Sequence, residues 1–402
     1  MKNQPKFELL DSFLQLKKYC ENENYKGWDP YDGLNSEIFQ STPLKRWSLA
    51  RLAWIQVFKR NPVNLRKLVL INKDYNSKGI GLFLTGYCNL HKMAEKGDNR
   101  FGTSEEIKAK IKELAELLIH IQSRGYSGAC WGYNFDWQNR VFFQPRYTPT
   151  VVATSFCADA LFNAYDITGE EKYLETALSS ASFLMNDLNR TGRGGNFLFS
   201  YSPLDHSQVY NASLLGARLL ARCYQYDKNE DYRELAGQVV NACLDVQQPE
   251  GSWVYGAAWN QQWVDSFHTG FNLECIWEYM QYTGDNSPLN SFRKGMEFYL
   301  DNFFLENGVS KYFHNKTYPV DIHSPAQLAV TLARTGLLES RVDLTNRVLN
   351  WTVANMQHAK GFFYYQMKQG ISSKIPYMRW AQAWMFYAYS WYFSKHNETK
   401  GR

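Results

Sequence analysis

From about residue 148 onward, the apolar positions fall into two alternating kinds of run. One kind is small and apolar on nearly every face: Val151 to Tyr165, Ala212 to Tyr226, Gly270 to Tyr282 and Ala326 to Ala333. A helix without a polar face is a buried helix. The other kind keeps one apolar stripe. Glu170 to Leu188 sets Tyr173, Ala177, Ala181 and Leu184 on one face with charges opposite, and Glu230 to Gln247, Pro288 to Phe304 and Arg341 to Gln357 repeat the pattern. Such helices are wet on one side and form an outer layer. The repeating unit is therefore a helical hairpin.

The hairpins recur at a fixed period. Short loops bearing Tyr or Asp lead into the apolar helices near Tyr147, Asp205, Asp265, Asp321 and Tyr377, a spacing of 56–60 residues, and self-similarity of that length marks a repeat architecture. Thr42-Pro43, Thr148-Pro149 and Ser324-Pro325 read as N-cap and N1 pairs, and Asp205 and Asp265 as caps of their helices. After each outer helix comes a glycine turn with aromatics, as in Gly125 to Tyr133, Gly192 to Tyr201, Gly251 to Tyr255, Gly308 to Tyr312 and Gly361 to Tyr365, with Gly27 to Asp32 as an earlier member. Glycine supplies the backbone that ends a helix. Inner helices are predicted near 43–58, 79–94, 148–165, 205–226, 265–282, 324–335 and 377–394. The expected fold is all-α: one domain over 1–402, an (α/α)6 toroid, with residues 43–58 offering a seventh inner helix whose outer partner near 63–72 is short. Both ends of the chain carry aromatic, apolar inner helices and not polar caps, which predicts a closed ring and not an open solenoid.

Composition adds to this picture in three ways. Aromatic residues make up 16% of the 402, so either the interior or a cleft is unusually rich in rings. The net charge is +5, from 44 basic and 39 acidic residues. Read as scattered, that excess argues against nucleic acid as a partner. The seven cysteines have no CxxC spacing, and read as reduced thiols of a cytoplasmic protein. Met1 to Cys20 lacks the continuous apolar core of a signal peptide, and no run approaches the length that spans a bilayer.

Gln247, Gly251 and Trp253 are similar to the Q-x3-G-x-W repeat signature of terpene-cyclase-like toroids, without the DxDD or DDxxD acid motifs of the cyclases. Over nearly the whole chain, and especially in Gly27-Trp28-Asp29-Pro30-Tyr31-Asp32-Gly33-Leu34-Asn35 and Trp263-Val264-Asp265-Ser266-Phe267-His268-Thr269-Gly270, the sequence resembles six-hairpin alpha/alpha toroids of bacterial and archaeal polysaccharide gene clusters. That resemblance implies a role in polysaccharide metabolism or biosynthesis. His268-Thr269-Gly270 also resembles the helix-start motif of N-acylglucosamine 2-epimerase-like toroids, in which a histidine transfers a proton. Unsaturated glucuronyl hydrolases share the fold.

The candidate chemistry sits at the helix starts. Asp265 and His268 are three apart, so they share a helix face. A carboxylate there can fix the imidazole tautomer, and the pair can serve as general acid or base. Asp321 and His323 repeat the pairing one unit later. Helix starts converge on the axis, so these four residues are the expected catalytic set. Asp205 and His206 are a third, adjacent pair. Expected saccharide-binding residues are the loop carboxylates Asp29, Asp32 and Asp205, the loop aromatics Trp28, Trp131, Tyr133, Tyr147, Trp253 and Tyr255, and Arg379, which suits a uronate carboxylate. Trp137, Trp259 and Trp263 lie in the same loops, and Arg146 and Lys374 are further uronate partners. Tyr147 is an alternative base. No metal set or cofactor is expected. The predicted partner is a saccharide, with a uronic acid or N-acyl sugar favoured. Hydrolysis, β-elimination and epimerisation stay open, as does a non-catalytic glycan-binding or scaffold role.

Overall fold

The computed structural model describes residues 8–138 and 143–396; residues 1–7 of the N-terminal stretch lie outside it. Fourteen α-helices are present among the described residues: α1 (Leu9–Asn22), α2 (Glu37–Ser41), α3 (Ser48–Arg60), α4 (Ser77–Ala94), α5 (Ser104–His120), α6 (Val151–Thr168), α7 (Glu171–Asn186), α8 (Tyr210–Asp227), α9 (Glu230–Leu244), α10 (Ser266–Thr283), α11 (Leu289–Phe303), α12 (His323–Arg334), α13 (Val342–Met356) and α14 (Trp384–His396). One wide π-helical turn, Met378–Ala383, precedes α14. Strands are short and antiparallel: the hairpins β1 (Trp137–Gln138) with β2 (Phe143–Gln144) and β3 (Arg190–Arg193) with β4 (Asn196–Phe199), and a three-stranded sheet of β5 (Val320–Asp321), β6 (Gln366–Met367) and β7 (Ser372–Ser373).

The six inner helices α4, α6, α8, α10, α12 and α14 each pack on the next, and α14 packs back on α4. The ring is closed. α4 and α6 are buried along nearly their whole length, as their lack of a polar face requires. The outer layer runs α5, α7, α9, α11 and α13, and α1 completes it against α13 and α14. The last hairpin is thus assembled from the two ends of the chain, pinned by Ser12 Oγ and Tyr389 OH at 2.7 Å.

The ring departs from the expected one at residues 43–72. Residues 43–58 do not form an inner helix. α3 lies off the ring, in a small apolar cluster of Leu34, Phe39 and Ile55. Residues 63–72 form no outer helix. The ring therefore has six hairpins, and its sixth outer helix is α1, which lacks the sequence context of the other repeats. The Thr-Pro and Ser-Pro caps also shift. Thr150, not Thr148, caps α6, and α12 begins at His323, ahead of Ser324-Pro325. Asp205 does not cap α8, which starts after Val209. Asp265 does cap α10, accepting from the His268 backbone N–H at 3.0 Å.

The Q-x3-G-x-W signature has a structural explanation. Gln247 Nε2 donates to Gly251 O and to Ser291 O, which lies on α11, the next outer helix, both at 2.9 Å. Gln357 Nε2 repeats this on Gly361 O at 2.9 Å and on Ser12 O at 3.0 Å, so α1 occupies the place that α11 takes two units earlier. Gly251 (φ +101°) and Gly361 (φ +92°) have left-handed backbones, and a Cβ on either would stand 2.4 Å from a carbonyl of that next helix. Only glycine meets both conditions.

Below its N-terminal rim the axis is filled with charge. Asp159 on α6 and Arg334 on α12, from opposite sides of the ring, approach to 3.5 Å. Arg222 on α8 pairs with Asp159, Arg334 bonds both oxygens of Glu278 on α10 at 2.8 and 2.7 Å, and Arg334 also reaches Tyr387 on α14. Glu274 accepts from Thr331 at 2.7 Å and from Gln327. Burial pushes its carboxyl up to about 7 against the pull of Arg334.

Candidate active site

The N-terminal ends of the inner helices converge on one face, and two of the predicted pairs meet there. His268 Nδ1 lies 2.7 Å from Asp265 Oδ2, which also accepts from Trp263 Nε1 at 2.9 Å. With the carboxylate accepting, Nδ1 carries the proton, and Nε2 has no hydrogen-bond partner among the described residues. Tyr255 stacks on Trp263 at 4.6 Å with a 13° interplanar angle, and its ring centre is 4.7 Å from that of His268. Trp263 is 36% exposed, so this stack offers an aromatic face beside the imidazole.

His323 is only 2% exposed, and neither ring nitrogen is hydrogen-bonded. It stacks on Phe267 at 4.4 Å (6°) and lies 4.1 Å from the Trp384 ring centre. Phe267 is also 4.2 Å from His268, so one phenyl ring touches both imidazoles. Burial pushes His323 well below the ordinary imidazole range, and Lys78, His268 and Arg379 push the same way. It is a neutral base at neutral pH. Asp321 does not bond the imidazole of His323, contrary to the expected pairing. It accepts from the His323 backbone N–H at 3.0 Å, Trp380 Nε1 at 2.9 Å and Gln366 Nε2 at 2.9 Å. Burial pushes its carboxyl up to about 6 against those hydrogen bonds.

The sequence reading missed Lys78. It stands in the first turn of α4, and its Nζ lies 4.3 Å from the Phe156 ring centre, 5.1 Å from Phe271 and 5.2 Å from Trp384. Those rings come from α6, α10 and α14, and α10 is opposite α4 in the ring. The amine therefore sits on the axis, beneath the imidazoles. It forms no ion pair with a carboxylate among the described residues. Burial lowers its pKa well below that of a free lysine, and Arg379 and Arg218 lower it further. The available signal was a lysine in the first turn of a helix whose next turns are apolar, where the helix dipole disfavours a cation.

Trp131 and Trp253 are buried, and their indoles donate to Leu118 O at 2.7 Å and Cys243 O at 2.9 Å. They lock turns onto outer helices and present no face to a ligand. The Trp28 indole likewise donates to Ile71 O at 2.9 Å. Arg379 holds Asp29 through two bonds of 2.6 and 2.9 Å, and Asp32 holds the buried Arg66 at 2.7 Å. These carboxylates therefore brace the loop under Tyr31. Asp205 accepts from Ser202 and Ser207 and organises its own turn. Tyr147 is exposed on the rim with a left-handed backbone, and His206, Arg146 and Lys374 are exposed. Tyr133 is half-buried under the Arg379 guanidinium, 5.1 Å away, and its OH is 3.3 Å from that of Tyr201. Among the described residues, no group of three His, Cys, Asp or Glu could hold a metal, no helix is long and apolar enough to cross a membrane, and all seven cysteines are buried thiols.

Two outcomes follow for single residues. Asp265→Asn keeps a capping oxygen but removes the acceptor that fixes the His268 tautomer; at least a tenfold loss of activity is expected, with a stability change of about 1 kcal/mol or less, read by rate and by thermal melting. Lys78→Met removes a buried, unpaired amine. Its melting temperature should equal or exceed that of the parent while activity falls. Because the folded pKa of Lys78 is depressed, the unfolded chain binds that proton more readily. The parent's penalty is full below the folded pKa and vanishes above about 10.5, so the variant's advantage should shrink as pH rises toward that value.

No protein-family profile matches the chain, and no curated protein matches its sequence. Solved structures do match its fold. Cellobiose 2-epimerase from Bacillus thermoamylovorans aligns with a TM-score of 0.61 at 12% identity, over 80% of this chain and 88% of that one. The GH76 alpha-mannanase of Bacteroides thetaiotaomicron aligns at 0.61 and 12%, over 92% and 100%. An unsaturated glucuronyl hydrolase of a Bacillus species aligns at 0.61 and 10%, over 96% and 96%. The chain is a six-hairpin alpha/alpha toroid. At these identities the likeness is one of fold, and one fold hosts many activities.

Proposed function

We propose that this protein is a carbohydrate-active enzyme that moves a proton at the carbon next to a sugar carbonyl, as an epimerase or isomerase of a reducing sugar. The observation that carries this is the pair of imidazoles sharing Phe267: His268 oriented by Asp265, and His323 buried, neutral and unbonded. His323, as the neutral base, removes the acidified C–H proton, and His268, entering with a second proton on Nε2 as the imidazolium that Asp265 stabilises, returns a proton to the carbon of the enediolate; exchange with solvent then resets both rings. No bond to a leaving group breaks and no cofactor is consumed. The Lys78 amine beneath them suits the oxygen on which charge develops, and the Trp263–Tyr255 stack suits a pyranose face.

Hydrolysis is the weaker reading. It calls for two available carboxylates about 5–10 Å apart, whereas Asp29, Asp265 and Asp321 are each committed to protein partners. Proteins of this fold include a sugar epimerase and glycoside hydrolases alike, so the fold admits this chemistry without choosing it. The Lys78 amine, as a buried hydrogen-bond donor with no carboxylate partner among the described residues, suits a sugar bearing a carbonyl or acyl oxygen.

The test incubates the protein in D2O with a panel of reducing neutral, uronic and N-acyl sugars and reads deuterium uptake at the carbon beside the carbonyl. Uptake with interconversion of epimers or isomers is expected. Release of new reducing ends, formation of an unsaturated product, or binding without exchange would each overturn the reading, in favour of a hydrolase, a lyase or a glycan-binding protein.

A further inference from the structure

The small excess of basic residues is concentrated, not scattered. Residues 38–73 carry eight lysines and arginines and no acidic residue, while the other 366 residues carry 36 basic and 39 acidic ones. This segment is the part that left the ring, and α3 is its centre. Ile55 and Phe58 face inward, whereas Leu49, Ala53 and Val57 form an exposed stripe at four-residue spacing. Trp47 precedes it at 65% exposure, and Val63 and Leu68 follow, both exposed. Eight of the fifteen large exposed hydrophobic residues among the described residues lie in these 36 positions. Among the described residues, Arg66 and Lys73 are the only two of the eight cations that pair with carboxylates; Lys45, Arg51 and Lys59 donate to neutral oxygens, and Arg46, Arg60 and Lys67 are exposed. A groove of about 450 Å³ runs beside the patch, lined by Trp28, Leu70 and Ile71 and flanked by Lys67 and Lys73.

Exposed apolar side chains beside cations with no neutralising carboxylate are the chemistry of an interfacial element: the rings and aliphatic chains enter the headgroup boundary, and the cations meet anionic lipid. We propose that the α3 segment docks this protein on the surface of an anionic bilayer. A second copy is the poorer occupant, because an isologous contact would set the same cations against one another. Nucleic acid would satisfy the cations but leave Leu49, Val57 and Leu68 without partners. The patch borders the mouth of the candidate site, since Lys59 on α3 donates to Tyr31 OH at 2.9 Å and Tyr31 packs on Trp380. A docked molecule would therefore hold the site close to the membrane.

The full chain is tested by co-sedimentation with vesicles of equal parts phosphatidylcholine and phosphatidylglycerol, against phosphatidylcholine alone. Binding to the anionic vesicles only, weakened by salt, is expected. Two exposed double variants, neither touching the candidate site, separate the contributions. R46Q/K67Q should weaken binding roughly thirtyfold at low salt, and L49S/V57S tenfold or more, with unchanged melting. Equal binding to neutral vesicles, no binding to either, or insensitivity to both variants overturns the proposal. So does concentration-dependent self-association that L49S/V57S abolishes, or displacement from vesicles by a short DNA duplex with retained affinity in L49S/V57S.

Discussion

His323→Phe is expected to cut turnover by about 10²–10⁴-fold while leaving the protein as stable as the parent, or more so. The two halves of this result rest on different facts. A phenyl ring fits the slot between Phe267 and Trp384, where the imidazole already packs as an aromatic plate. It also removes two buried nitrogens with no hydrogen-bond partner, each of which costs stability as it stands. A merely structural histidine would therefore be improved upon at no loss. If the imidazole moves protons, the same substitution leaves nothing to take one. The measurements are deuterium uptake and thermal melting on the same preparation. Turnover within threefold of the parent would remove His323 from the chemistry, whatever the melting curve shows. The pH profile adds a second readout: burial holds His323 well below the ordinary imidazole range, so the form that accepts a proton persists below pH 6.5, and the parent's activity should persist with it.

That site was only partly legible in the chain. Asp265 and His268 could be read because both act locally: a cap and a residue three positions on must share a helix face. Asp321 and His323 were read by the same rule, and there the rule failed for the side chains. A two-residue strand ends at Asp321 and turns its carboxylate toward Trp380 and Gln366, which are distant in sequence. Lys78, Trp380 and Trp384 were not read, because their meaning comes from where α4 and α14 stand across the ring. The aromatic loops misled for a related reason. A buried tryptophan that locks a turn and an exposed one that stacks on a sugar have the same local sequence. Trp253 proved to be the first kind, and Trp263, ten residues on, keeps an exposed face.

The fold was more legible, and its two errors share a cause. α3 is apolar on most faces, so it reads as an inner helix, yet much of that apolar surface faces outward. α1 is amphipathic and lies far from the first recognisable repeat, so its role as an outer helix shows in the folded chain, where the Ser12 carbonyl accepts from Gln357 and the Ser12 hydroxyl meets Tyr389. Hydrophobic periodicity reports which face is apolar, not what covers it.

Arg334→Ala is expected to cost about 3–5 kcal/mol, the largest stability loss among single changes in the axial network. The guanidinium makes two hydrogen bonds to Glu278 and a third to Tyr387, and reaches Asp159 across the ring. Asp159 keeps Arg222 when Arg334 is lost. Glu278 keeps only Arg218 at 3.7 Å, and Glu274 loses the cation that most opposes its burial. The loss comes from stranded carboxylates more than from the missing attraction, and this has two consequences. Adding Glu278→Gln to the variant should restore part of the stability, so the double change should cost less than the sum of the two singles. The deficit should also depend on pH with a definite sign. In the parent the Glu274 carboxyl already titrates near 7, above its unfolded value, so its favourable, protonated state is fully present below about 4.5 and is lost as pH rises through 7. Without Arg334 that loss becomes larger, and the gap between variant and parent in denaturant midpoint should widen from pH 5 to pH 8. A gap that stays constant over that range would mean that Arg334 acts by packing alone. A single-variant loss below about 0.5 kcal/mol would mean that water or a shifted side chain replaces it.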